Sequence, residues 1–303
     1  MEEKYLIWHI QGGLGKHIAA TSLLEDLKSK YKDYKIILTC AYPEVFLNIP
    51  FVDRVYNLNK LSYFYETYIK DKEVIIFKHD PYDTTGHITK TKHIIESWCD
   101  ILKIKYQNQQ PFLYINYSQN TLLSKWERSK PILLLQTTGG VGTNIYSWTR
   151  DLPIELSLEI VNKYSSSYHI IHVTKPEGYQ IPNVERIDQE LSFSELASLV
   201  QYSSKRIFID SSLQHIAASL SLPSNVIWIG TSPSVFGYNI HQNILSNPIN
   251  LSNQLIDSYT SDYSFYDNYK ECPYPNIESM FNIKDVLENL DTLNQNIILH
   301  QNL

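Results

Sequence analysis

Asp210-Ser211-Ser212-Leu213-Gln214-His215-Ile216-Ala217-Ala218-Ser219-Leu220, with Gly230-Thr231-Ser232-Pro233 soon after, is the stretch on which the fold turns. Before it stands Arg206-Ile207-Phe208-Ile209, an apolar run with the length and β-branched character of a buried strand. The Asp-Ser-Ser cluster therefore falls at a strand's carboxyl end. Ser or Asp there is suited to cap a helix predicted over Leu213–Leu220, by accepting bonds from its first-turn N–H groups. Val226-Ile227-Trp228-Ile229 reads as a second buried strand and ends in the Gly-Thr-Ser-Pro turn. Two strand ends and a helix N-terminus on one edge of an α/β sheet form a natural place for an anion such as a diphosphate.

Working outward, the same alternation fills the chain. Tyr5–Ile10 is a predicted strand, broken at Gln11-Gly12-Gly13-Leu14-Gly15, and helical spacing then runs from Ile18 to about Lys30. Further strands are predicted at Lys35–Thr39, Asp53–Tyr56, Glu73–Phe77 and Phe112–Ile115, with a short helix at Pro43–Leu47 and a longer one at Thr89–Leu102. The stretch Tyr117–Lys130 is polar and reads as a linker. The pattern then restarts with a strand at Ile132–Leu135, a Gly/Thr loop over Thr137–Thr143, a helix at Pro153–Tyr164, a strand at Tyr168–Val173 and a helix at Ser192–Gln201. Asn239–Tyr269 is rich in Asn and Ser and receives no assignment, and Ile283–Ile298 is a closing helix. Strands alternating with helices imply parallel sheets. The expectation is an α/β chain of two Rossmann-like domains facing across a cleft: 1–120, a linker at 121–130, 131–282, and a C-terminal helix in 283–303.

Composition agrees with that size. A chain of 303 residues exceeds most single cores, and its 43% hydrophobic content is ample for globular domains. No run approaches the apolar length of a membrane span. The start, Met1-Glu2-Glu3-Lys4, lacks the basic region and cleavage site of a signal peptide. Cys40, Cys99 and Cys272 are too far apart to suggest a disulfide framework or a zinc site. The expectation is a cytoplasmic protein. A net charge of −6 argues against nonspecific nucleic-acid binding, but residues 1–120 carry 15 Lys and Arg against 14 Asp and Glu while the remainder carries 11 against 18. The first half is thus the better suited to face an anionic partner.

Gly12-Gly13-Leu14-Gly15-Lys16 resembles a phosphate-binding loop, since bare backbone N–H groups and a lysine suit phosphate. A P-loop NTPase would need glycine where Ile10 stands and Ser or Thr, to hold magnesium, where His17 stands. The dinucleotide fingerprint fails as well, because Ile18 occupies its third glycine position. A plain strand-to-helix turn explains one glycine. Three glycines with Lys16 and His17 favour a functional loop lining the cleft.

Together these residues resemble the heptosyltransferase-like glycosyltransferases of family 9, which have the GT-B fold. That family carries Asp-(Thr/Ser)-Gly-x-x-His-(Leu/Ile)-Ala-Ala-Ala followed by a Gly-x-Thr-x-Pro turn. Asp210, Ser211, His215, Ala217 and Ala218 match, while Ser212 replaces the usual glycine and Ser219 the last alanine. Ser192-Phe193-Ser194-Glu195-Leu196-Ala197 matches the preceding helix. Tyr146-Ser147-Trp148-Thr149-Arg150-Asp151-Leu152-Pro153 is similar to the family's Lys-x-Trp-Pro region, and Cys272-Pro273 with Met280-Phe281-Asn282-Ile283 and Val286 to its C-terminal Cys-Met-x-x-Ile signature. The likeness spans most of 131–290 and, more loosely, the N-terminal strand, loop and helix.

The resemblance implies a nucleotide-diphospho-sugar against the second domain and an acceptor against the first. By matched position Asp210, Ser211, Ser212 and His215 contact the donor, with Thr137 and Thr138 on the neighbouring loop and Arg150 near the diphosphate, where its fork of donors fits. The family commonly has Gly-Asp in its first loop, the aspartate being the proposed base. Here Lys16 follows Gly15, and the loop is also similar to the Gly-Gly-Leu-Gly-Asn-Gln loop of certain fucosyltransferases. His17 and Asp80 are the base candidates that remain, with His79 beside Asp80 at the same strand end; Asp80 also suits a turn cap before Pro81. The chain has no Asp-x-Asp motif, which fits metal-independent transfer with no cofactor beyond the nucleotide-sugar co-substrate. The acceptor is a glycan, a lipid-linked saccharide or, for a phage source, a hydroxylated nucleobase in DNA. The competing reading is a sugar-nucleotide-binding protein that has lost its base.

Overall fold

The computed structural model describes residues 3–115, 123–139, 146–176, 178–187, 190–248 and 272–300, with 293–300 described as backbone. The chain divides into two compact units, Met1–Asn116 and Tyr117–Leu303.

The first unit is built on strands β1 (Lys4–Ile10), β2 (Lys35–Cys40), β3 (Arg54–Asn57) and β4 (Glu73–Phe77). They form a parallel sheet in the order β3-β2-β1-β4. Leu6-Ile7-Trp8 and Ile36-Ile37-Leu38 are buried without alternation, as strands covered on both faces require. Helices α1 (Leu14–Thr21), α2 (Leu24–Lys30) and α3 (Ile94–Leu102) belong to this unit. The Trp98 ring of α3 meets Trp8 edge to face at 5.6 Å.

Four sequence expectations for this unit differ from the structure. The single helix from Ile18 to Lys30 is broken between α1 and α2. Thr21 and Ser22 turn their hydroxyls back onto the carbonyls of Ile18 and Ala19, both at 2.7 Å, and Ser22 and Leu23 N–H bond three residues back. Such back-bonding competes with the helical ladder. Phe112–Ile115 is not a strand: Phe112 N–H donates to Thr21 Oγ1 at 3.0 Å and Asn48 Nδ2 donates to the Tyr114 carbonyl. Side chains, not a neighbouring strand, serve this backbone. The helix expected over Thr89–Leu102 begins only at Ile94, where the ring of His93 accepts from Ile95 N–H. Pro43–Val45 forms a single 3₁₀ turn.

The second unit holds β5 (Ile132–Gln136), β6 (His169–Val173), β7 (Glu185–Ile187), β8 (Lys205–Ile209), β9 (Asn225–Trp228) and β10 (Gln242–Leu245), parallel in the order β10-β9-β8-β5-β6-β7. Its helices include α4 (Ile154–Tyr164), α5 (Phe193–Tyr202), α6 (Ser212–Ser219) and α7 (Ile283–His300). A capping box closes the start of α5: Glu195 N–H donates to Ser192 Oγ, and Ser192 N–H donates to the Glu195 carboxylate. The edge strands β7 and β10 escape sequence reading because they are short and half polar. The expected linker is firmly tied at its second half: Trp126 is buried and donates to Ser198 Oγ of α5, and Arg128 grips Glu185 of β7 with two bonds of 2.9 and 2.6 Å. Residues 116–122, the Gly/Thr loop from 140, the Asn-rich stretch from 249 to 269 and residues 301–303 lie outside the described residues.

Each sheet starts at its centre, adds its second and third strands to one side, and then crosses to the other side for its fourth. The crossing leaves a switch point between β1 and β4 in the first unit and between β5 and β8 in the second. Ligands of open α/β sheets bind outside the carboxyl ends of the strands at such points. Among the described residues no helix is long and apolar enough to cross a membrane.

Candidate functional site

At the switch point of the second unit, β5 runs into Thr137-Thr138-Gly139 and β8 into Asp210-Ser211. The two ends are in contact: a Cβ on Gly139 would lie 3.3 Å from Ser211 and 3.4 Å from Ile209. The segment Ser147–Leu152 bridges three strand ends. Leu152 N–H donates to the Thr137 carbonyl at 2.9 Å, Gly230 N–H after β9 donates to the Thr149 carbonyl at 2.8 Å, and Arg150 Nε stands 3.5 Å from Asp210 Oδ2. A Cβ on Gly230 would fall 2.8 Å from Thr149, so glycine is needed there for the approach of the backbones. Asp151, wholly buried, fastens the segment: its carboxylate accepts from Gly139 N–H at 2.9 Å and Ser147 N–H at 3.0 Å, with Lys175 Nζ at 3.3 Å.

The structure thus brings Thr137, Thr138, Arg150, Asp210 and Ser211 to one strand edge. Thr137 Oγ1 is 2.6 Å from His172 Nε2, and Thr138 Oγ1 accepts from Lys175 N–H at 2.9 Å. Burial and the Arg186 charge lower His172 to about 4, so its ring is neutral. Ser211 takes the cap position of α6, but its side chain makes no capping bond, unlike Ser192 on α5. The first-turn N–H groups of Ser212 and Leu213 therefore have no cap side chain as acceptor. This disposition suits an anion.

His215 is placed differently from the expectation. It is buried, its Nδ1 lies 2.8 Å from Tyr238 Oη, and its Nε2 is 3.1 Å from the amide nitrogen of Gln214. Both ring nitrogens face protein partners, so His215 supports Tyr238 rather than offering a nitrogen to a donor. Burial, with the charge of Asp210, raises the Tyr238 phenol. Trp148 is a packing residue, set against Tyr274 in the core that also contains Met280, Phe281 and Val286. The C-terminal Cys-Met-like signature is accordingly core; the thiol of Cys272 is exposed.

At the switch point of the first unit lies a cavity of about 330 Å³ lined by His9, Gln11, Lys16, Lys78, His79, Asp80 and Asp83, with Pro81 and Trp98 as apolar wall. The glycine loop forms its edge. Gly12 has φ +93°, a left-handed conformation that glycine adopts without strain, Gly13 holds the cap position of α1, and Gly15 lies in its first turn. Lys16 folds back over Gly12, within 3.1 Å of where a Cβ would sit. Its ammonium meets both oxygens of Asp80 at 2.9 and 2.8 Å and stands 3.7 Å from the centre of the Tyr82 ring. Burial lowers the Lys16 pKa, opposed by the bond to Asp80. Asp80 also caps the turn at Pro81–Asp83 by accepting from Tyr82 N–H at 3.0 Å. The carboxylate is thus both turn cap and ion-pair partner.

His17 does not reach this cavity as a base. It is wholly buried; Nδ1–H donates to the Gly13 carbonyl at 2.9 Å, while Nε2 accepts from Ala41 N–H at 3.1 Å. Burial lowers its pKa to about 4. The ring pins the glycine loop to the end of β2 and has no lone pair left for a substrate. The sequence offered no sign of Asp151, Lys175, Tyr238 or the Lys16–Asp80 pair. Each acts through partners remote in the chain or hidden behind a commoner residue role.

No family model matches the sequence, and no curated protein matches it either. Solved structures do. The architecture is the α/β fold of GT-B glycosyltransferases, found with 15% identity and a TM-score of 0.64 in a family 9 glycosyl transferase from Veillonella parvula, over 97% of this chain and 98% of that one. The E. coli ADP-heptose LPS heptosyltransferase II is similar over 99% of this chain and all of its own, at 11% identity and a TM-score of 0.66. The iron-containing dodecameric glycosyltransferase TibC of enterotoxigenic E. coli is similar over 98% of this chain and 78% of its own, at 15% identity and a TM-score of 0.67.

Proposed function

We propose that this chain is a glycosyltransferase that moves a sugar from a nucleotide-diphospho-sugar to a hydroxyl acceptor without a metal ion. The observation that carries it is the convergence of Arg150, Asp210, Thr137 and Thr138 with the uncapped start of α6 at the switch point of the second unit. In this reading the N–H groups of Ser212 and Leu213 and the guanidinium of Arg150 take the diphosphate and stabilise the charge that grows on it as the glycosidic bond breaks. Asp210 holds the guanidinium, and the hydroxyls of Ser211, Ser212 and Thr138 bond the rest of the donor. The acceptor, a glycan, a lipid-linked saccharide or a hydroxylated nucleobase, belongs to the polar cavity of the first unit. The reaction is cytoplasmic and needs no cofactor beyond the donor and no inserted membrane anchor.

A second reading, a sugar-nucleotide-binding protein without transfer, draws on one observation: Lys16 stands where family 9 commonly has its carboxylate, and Asp80 is already paired with it.

Thermal unfolding in ADP, UDP and GDP and their hexoses and heptoses tests the proposal, with ADP-heptose tried first because neighbouring folds are named for it. A ligand at a hundredfold excess over its Kd stabilises by about 2.7 kcal/mol, a rise of several degrees. Arg150→Ala should abolish the rise, and turnover should persist in EDTA. No rise with any nucleotide at millimolar concentration would refute donor binding; strict metal dependence would refute the metal-free mechanism.

A further inference from the structure

The cavity of the first unit contains a histidine arranged as a base, and neither Asp80 nor His17 is arranged so. His9 and Gln11 are two residues apart at the end of β1, so their side chains emerge on one face. The left-handed turn at Gly12 ends the strand just beyond them. His9 Nδ1 lies 2.9 Å from Oγ1 of Thr39, its register partner on β2, and His9 Nε2 lies 2.6 Å from the Gln11 amide nitrogen. An amide nitrogen only donates, so Nε2 is the acceptor and the ring proton sits on Nδ1, directed at the buried Thr39 hydroxyl. The tautomer is fixed from behind and the lone pair faces the cavity. Gln11, an exposed side chain, fills the place from which a substrate hydroxyl would donate. Lys16, Lys78, His79, Asp80 and Asp83 line the same space. Partial burial and the Lys78 charge lower the His9 pKa, which keeps the ring neutral at pH 7.

Resting on the glycosyl-transfer reading, we infer that His9 is the general base of this enzyme and Thr39 its positioning residue. The acceptor hydroxyl displaces the Gln11 amide and donates to His9 Nε2. As its oxygen bonds to the anomeric carbon, the proton passes to Nε2 and the bond from that carbon to the diphosphate oxygen breaks, the electron pair leaving with the diphosphate. The imidazolium, whose Nδ1–H stays on Thr39, then returns its proton to solvent. Asp80 and Asp83 offset the charge that appears, while Lys16 keeps Asp80 from competing for the proton.

Hydrolysis of the nucleotide sugar that the thermal screen identifies, with water as acceptor, tests this in the full-length protein. Wild type should hydrolyse it with an acid limb below the ordinary histidine range. His9→Gln should lose at least about 100-fold in rate, the usual scale of a general base, with nucleotide binding unchanged. Thr39→Val should lower the rate and move the limb to lower pH, because the imidazolium loses its acceptor. His9→Gln within threefold of wild type, a larger loss in Asp80→Asn than in His9→Gln, or wild type that binds the donor without hydrolysing it would each overturn the assignment. Absence of nucleotide binding would instead overturn the glycosyl-transfer reading on which it rests.

Discussion

Lys16 and Asp80 are joined by charge yet unequal in burial: 6% of the lysine side chain is exposed against 31% of the aspartate. Removing either partner therefore has different consequences. Asp80→Asn leaves a desolvated ammonium with an amide, the Tyr82 ring and the charge of Asp83, and should cost about 2–3 kcal/mol, below the figure for a fully buried pair. Lys16→Met removes the buried charge itself and leaves an apolar stem in its place, so the loss should be under about 1 kcal/mol. Urea midpoints of the two variants check the order, and the reverse order would mean that Asp80 is the more dependent member. At this scale the sequence was legible only where chemistry was clustered. Asp210 and Ser211 follow an apolar run directly, so their position at the carboxyl end of a strand could be read. Lys16 and Asp80 are 64 residues apart, and only the pairing of β1 with β4 brings them together. His9 carries no signal in the sequence, because its partners Thr39 and Gln11 gather around it only in the fold.

Among the elements, α7 shows how a closing helix is held. Val286 and Leu290 are buried in the core of the second unit, and Lys205 of β8 donates to the Leu290 carbonyl at 2.6 Å from a position where burial lowers its pKa to about 8. Tyr164 of α4 adds a bond of 2.6 Å to Asp291. Leu290→Ala should therefore cost about 2–5 kcal/mol, whereas Lys284→Ala on the exposed face of the same helix should change stability by less than about 0.5 kcal/mol. Comparison of their denaturation midpoints checks it; equal effects would show that α7 is not part of the core. This helix was plain from its apolar spacing, as were the long central strands. The break between α1 and α2 was not. Thr21 and Ser22 look helix-compatible in sequence, and only their carbonyl partners reveal that they interrupt the ladder. Phe112–Ile115 has strand composition, but among the described residues no strand pairs with it.

Across the whole molecule, buried neutral histidines set the response to acid. His17 in the first unit and His172 and His241 in the second are each lowered by burial to about 4, from an ordinary value near 6.5. The unfolded chain binds these protons first. Stability is therefore fully present above about pH 6.5 and is lost as pH falls towards 4, by about 3 kcal/mol for each histidine. The second unit, with two such groups, should fail first. Urea unfolding between pH 7 and 4, followed at each unit by its own tryptophans, reads this directly, and His172→Gln should flatten the curve. A stability unchanged over that interval would contradict the buried neutral rings. The strand order of the second sheet has a further consequence, during synthesis. Leu133 of β5 pairs with Lys205 of β8, which is made 72 residues later. At about 5–20 residues per second the apolar β5 waits roughly 4–14 s with one edge open. For that interval the nascent chain is a target for aggregation and for chaperones, whereas the 77 residues that contain all four strands of the first sheet can already have closed.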